Sequence, residues 1–225
     1  MRFVERQARL EKRTYEAIDE LEDIFDVEVP NYPEVRWLGR KGHFEDLGLA
    51  EYYREDIESL QKNGQSVLVT GANVIVLNIN EPKHINEEAS HYVHFNISNI
   101  HKGKRMPDEW LLVSAIVEMF GFLGSKILDP SRKNDFNGRP DYFQIARNKK
   151  VPFEDAVQKL NALPEKFENE FIYTQGYSLG ERIFYALETG QISSAYVNRL
   201  FRQGFCKSGQ ATKAFRDLRQ EVWPI

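Results

Sequence analysis

The sequence has a single cysteine, Cys206. That excludes a disulfide scaffold within the chain and any zinc site built on several thiolates. No long apolar run opens the chain: the first 25 residues, MRFVERQARLEKRTYEAIDELEDIF, alternate charge and hydrophobicity, so no secretory leader is expected. The greasiest stretch, residues 110–124, is short for a membrane span and carries Glu118 at its middle. It reads as a buried core helix, and no membrane partner is expected. Neither sign of charge dominates. Thirty Lys and Arg against 34 Asp and Glu leave a net charge of −4, which argues against a general nucleic-acid binder. The expected setting is cytoplasmic. Internal repeats, low-complexity tracts and an obvious linker are also missing. Aromatic residues are not: 15 Phe, 10 Tyr and 3 Trp in 225 residues supply ample core material and exclude disorder. The length fits a single domain with a sizeable core.

Periodicity divides the chain. Val4, Leu10, Tyr15, Ile18, Leu21 and Ile24 recur at helical spacing, predicting an amphipathic helix over residues 2–25. Residues 34–64 are mixed, with a helix predicted near 50–63. SVLVTGANVIVLNIN at 66–80 is rich in β-branched residues, and Thr70-Gly71-Ala72-Asn73 is a plausible turn between two strands. Pro82 suits a helix start, predicting a helix at 82–101. Pro107-Asp108-Glu109 suits the start of a second, running to 128. Residues 129–152 form a polar, basic connection with a helical turn near 142–146, either a lid or a plain crossover. Helices follow at 153–162, 164–173, 177–189, 193–204 and 209–221, with Gly190 and Gly204 as stops. The fold class expected is α+β: mostly helical, with a small sheet preceding the helices that carry the chemistry.

The chemistry concentrates in His84-Ile85-Asn86-Glu87-Glu88-Ala89-Ser90-His91-Tyr92-Val93-His94. A helix turns about 100° per residue. With His84 at zero, Glu88 falls at about 40°, His91 at about 340°, Glu87 at about 300° and His94 at about 280°. These side chains share one wedge, while Ile85, Ala89, Tyr92, Val93 and Ile97 form an apolar back able to pack on the sheet. Three of the five histidines lie here, and residues 84–100 contain no Lys or Arg. Imidazoles and carboxylates without basic neighbours suit a cation. A solvated face rich in histidine is the plainer reading. Glu118 is the second conspicuous group. Its neighbours in LLVSAIVEMFGFLGSKI are apolar or small, so it needs a partner, either a metal, a basic side chain or backbone.

Glu87-Glu88-Ala89-Ser90-His91 on a helix after a strand resembles the zincin metallopeptidase motif, with glutamate replacing the first histidine. The resemblance implies Glu87 and His91 as ligands, Glu88 as general base and Glu118, on the next long helix, as third ligand. A second register, His84-x-x-Glu87-Glu88, is similar to the inverted motif with Glu88 in place of its second histidine, and would make His84 a ligand. The element Gly176-Tyr177-Ser178-Leu179-Gly180 is similar to one that packs on the ligand helices in zincin-like families. There Tyr177 would donate to a substrate oxyanion, or serve as a packed ring with its hydroxyl satisfied. The resemblance covers about residues 66–190 and implies zinc, or manganese or iron given the extra carboxylate, and a peptide or protein substrate. It is equally compatible with an inactive zincin-like domain that binds a protein partner. Glu88-x-x-His91 also fits half of a ferritin-like di-iron site, but the strands expected at 66–80 disfavour a four-helix carboxylate bundle.

Overall fold

The computed structural model describes residues 3–37, 66–69, 71–77, 82–98, 100, 109–205 and 207–222. The helix expected at 50–63 and Cys206 lie outside the described residues. Within them the order is α1 (Phe3–Phe25), β1 (Glu34–Trp37), β2 (Val67–Val69), β3 (Val74–Leu77), α2 (Pro82–Ser98), α3 (Trp110–Leu128), α4 (Tyr142–Asn148) and α5 (Phe153–Leu160). A 3-10 turn at Glu165–Phe167 leads into α6 (Glu168–Glu188), followed by α7 (Ser194–Phe201) and α8 (Gln210–Val222). The fold is α+β, mostly helical with one small mixed sheet.

The hairpin expected at 66–80 forms: β2 and β3 are antiparallel, pairing Val67 with Val76 and Val69 with Val74. β1 adds a parallel strand on the other edge of β3, pairing Glu34 with Val74 and Trp37 with Leu77. The sheet order is therefore β1-β3-β2. All four residues of the central strand are buried, so β3 reads as a continuous apolar run rather than an alternating one. β1 has no such run. Its EVRW sequence is half polar, and only pairing with β3 makes it a strand.

α1 buries Leu10, Ala17, Ile18, Leu21 and Phe25, and packs on β1, α2 and α7. Thr14, not Val4 or Ile24, completes that face. It is fully buried, with its hydroxyl donating to the Leu10 carbonyl at 2.9 Å, whereas Val4 is 75% exposed. α3 lies at the centre between α2 and α6. At 19 residues it is long and apolar enough to span a bilayer, so length does not exclude that; its burial between helices explains its hydrophobicity instead. Phe120 of α3 and Phe201 of α7 meet at 4.1 Å between ring centroids, and Phe25 of α1 meets Phe201 at 4.4 Å. Each such buried ring contributes on the order of 2–3 kcal/mol.

The segments expected at 164–173 and 177–189 are one helix. α6 runs unbroken through Gly176 and Gly180 because both glycines face α3 at close range. A Cβ on Gly176 would lie 2.7 Å from the Ala115 carbonyl oxygen, and one on Gly180 2.8 Å from that of Met119. A glycine costs about 1 kcal/mol in a helix interior, and close interhelical contact offsets that cost. The helix does stop at Gly190, whose φ of +71° places it in the left-handed region.

Candidate metal centre

Glu87 and His91 stand four residues apart on α2 and so point the same way. They point at α3. Glu118 reaches them from there, and the ligand atoms of Glu87, His91 and Glu118 all lie within 4.8 Å of one another. His91 Nε2 lies 3.8 Å from Glu118 Oε2. One imidazole nitrogen and two carboxylate oxygens in a buried cluster form a group that could hold a metal ion.

The helices approach closely because residues of α3 are missing side chains where α2 needs room. The three atoms nearest to a Cβ placed on Gly121 are all from the His91 imidazole, and two of them would overlap it. One turn on, a Cβ at Gly124 would fall on Ser90. Ser90 uses that space to donate a hydrogen bond from Oγ to the Phe120 carbonyl at 2.6 Å, tying the two backbones together.

Two further side chains address Glu87. The Tyr177 hydroxyl, from α6, donates to Oε1. Arg132, from the connection after α3, places Nη2 3.6 Å from Oε2. Arg132 is only 6% exposed. It lies over the rings of Phe122 and Tyr177, at 5.4 and 5.8 Å, and Lys126 Nζ donates to its carbonyl at 2.6 Å. Phe136 of the same connection stacks on Tyr173 at 5.6 Å and meets the edge of Tyr177 at 5.3 Å. The start of this connection is thus packed against the site and brings one positive charge to it. Glu181, another conspicuous carboxylate of α6, accepts from Asn134 Nδ2 at 3.2 Å, away from the cluster.

Burial dominates the electrostatics. It raises the pKa of Glu87, which the Tyr177 hydrogen bond and the Arg132 charge partly pull back. It raises Glu118 further, with Glu87 and Glu88 adding repulsion. Glu88 is pushed up to about 8 by burial and by neighbouring Glu87, against one hydrogen bond from the Leu68 backbone in β2. His91 is driven down to about 4 by burial alone. Burial thus disfavours the charged form of all three carboxylates and of the imidazole.

Glu88 lies outside the three-residue group, anchored to the sheet through Leu68. His84 also lies outside it, half-buried on the first turn of α2. His94 does not face the cluster. It is fully buried 4.2 Å from Phe120 and 5.5 Å from Phe201 between ring centroids, and neither ring nitrogen has a hydrogen-bond partner. Every residue from 87 to 94 is buried, so this stretch of α2 has no solvated front; Glu87 and His91 face α3, and Glu87 also meets Tyr177 of α6. Arg132 escaped the sequence reading because it is one of several basic residues in a polar connection, and nothing local marks it as inward-facing. Compared with known protein families, characterised proteins and solved structures, the chain has no match.

Proposed function

We propose that the chain is a metal-dependent hydrolase of zincin type, acting on peptides, with Glu87, His91 and Glu118 as the ligands and Glu88 as general base. The observation that carries this reading is the convergence of one imidazole and two carboxylates from two helices, their ligand atoms all within 4.8 Å of one another. Zinc is the ion inferred, with manganese or iron as the others that an oxygen-rich donor set accepts. Such an ion, when bound, supplies Lewis acidity toward a carbonyl and toward water.

The chain's own groups divide the remaining work. Tyr177 and Arg132 orient Glu87 from behind, as outer partners do for ligating carboxylates. Glu88 sits next to Glu87 but belongs to a different hydrogen-bonding environment, held by Leu68. In the metal-free protein it keeps a proton near neutral pH. A nearby cation favours its ionised form, which is the form that accepts a proton from an attacking water. Tyr177 is assigned to ligand orientation, since its hydroxyl is already directed at Glu87.

Elemental analysis of untagged protein, before and after a zinc soak, tests the centre. About one ion per chain is expected. The Glu88→Gln variant should retain that ion and lose hydrolysis of a fluorescent casein substrate. A chain that takes up no zinc, manganese or iron under any soak overturns the reading.

One observation favours a second reading, an inactive zincin-like domain that binds a protein partner. Both oxygens of Glu87 already face protein groups, Tyr177 and Arg132, at the position where the intact motif has a histidine. On that reading His91→Ala leaves folding and partner capture unchanged.

A further inference from the structure

We propose that Gly121 is a positioning residue of the metal centre: the missing Cβ at this place is the seat of the His91 imidazole, and it fixes where the ring's nitrogens lie. The inference rests on the metal reading above and names the residue that gives that site its geometry.

Four observations support it. First, the crowding at Gly121 is specific. The three nearest atoms to an added Cβ are Cε1, Nε2 and Nδ1 of one ring, the last at 3.0 Å. At Gly176 and Gly180 the nearest atoms include backbone, and at Gly124 they belong to two residues, Ser90 and Leu21. Second, Gly121 and Glu118 are three residues apart on α3, so the seat and the third ligand share one helix face. Third, the backbones cannot readily separate. The hydrogen bond from Ser90 to the Phe120 carbonyl, at 2.6 Å, joins the residues immediately before His91 and Gly121. With the helices tied there, an added methyl must turn the ring rather than move the helix. Fourth, the ring has little room to turn. Its side chain is 10% exposed, Phe95 lies 6.4 Å away between centroids, and Nδ1 is buried without a hydrogen-bond partner. Rotation would carry Nε2 away from Glu118.

A double-mutant cycle in EDTA tests the seat without any metal. Gly121→Ala should lower the melting temperature of the wild type by roughly 5 °C or more, as overpacking does. In the His91→Ala background the same change should raise it by roughly 2 °C, because the clash is gone and alanine is the better helix former. That reversal of sign is the signature of a seat for this ring. An equal loss in both backgrounds overturns the proposal, as does a double variant that fails to fold. Zinc titration by calorimetry supplies the second readout. Gly121→Ala should bind at least about tenfold more weakly than wild type. Unchanged zinc affinity in Gly121→Ala also overturns the proposal. If the wild type takes up no zinc, the metal reading has failed, and the seat stands or falls on the melting cycle alone.

Discussion

Tyr177 shows how much a single buried residue can set. Its ring stacks on Phe122 at 4.6 Å, and its hydroxyl donates to Glu87. Burial, then the charges of Glu87 and Glu118, hold the phenol well above its ordinary pKa, so it remains a donor throughout the working pH range. Tyr177→Phe keeps the ring and removes only the donor. It should destabilise the protein by about 1–3 kcal/mol in urea titrations, the cost of a buried acceptor left without its partner. It should also weaken zinc binding by roughly tenfold or more, through a less constrained Glu87. A variant equal to wild type in both measurements would show that Glu87 does not need this partner. At this scale, residues out of place in their surroundings were the legible ones. Glu118 stands in an apolar run, and Glu87 and His91 lie on a helix without basic residues. Arg132 was not legible, because its role depends on a contact 45 residues away in sequence with Glu87, and Lys133 beside it is as basic as it is.

Between α3 and α6 the glycines do for helices what Gly121 does for a ring. Gly176 and Gly180 share one face of α6, and each would place a Cβ under 3 Å from a backbone oxygen of α3. Gly180→Ala should therefore force these helices apart. Its cost should be about 1–3 kcal/mol despite alanine's better helix propensity, read as a lower urea midpoint with an unchanged slope. A stabilised variant would mean that α6 has slack against α3. Of the two, only Gly176 hides the continuity of α6 in the sequence, where the pattern divides; Gly180 is legible as a glycine inside a helix, a cost that close helix contact accounts for. Elements whose signal is local were legible: the hairpin, α1, α2 and α3, each with its own periodicity or turn. β1 was not, since a half-polar EVRW segment becomes a strand only by pairing with β3, nearly 40 residues on in sequence. The apolar back expected for α2 was present, but its polar wedge is covered rather than open, because pattern reports contrast between faces and not what covers each of them.

For the whole molecule, the buried cluster makes stability depend on pH in two opposite senses. His91 and His94 have folded-state pKa values of about 4 and about 3, below their ordinary 6.5. Between those limits the unfolded chain binds more protons, so the stability they contribute is complete above pH 6.5 and is lost as pH falls through 4. Glu88 has a folded-state value of about 8 against 4.5, and Glu87 and Glu118 are also raised. For these carboxylates the folded chain binds more protons, so their contribution is complete below pH 4.5 and is lost as pH rises through the folded values. Each group can tilt stability by at most about 1.4 kcal/mol per pH unit. Between pH 4.5 and 6.5 the two sets oppose each other. Above 6.5 the histidines no longer contribute a slope, and the carboxylates alone remain. Metal-free protein should thus be most stable in weakly acidic solution, and its melting temperature should fall as pH rises from 6.5 to 8. Excess zinc at pH 8 should abolish that fall, since a bound cation stabilises ionised carboxylates and adds its own binding energy to the folded state. Melting curves at half-unit pH steps, with EDTA and with zinc, provide the measurement. A metal-free protein as stable at pH 8 as at 6.5 would mean that its cluster is already compensated for charge, and that a cation has little to offer it.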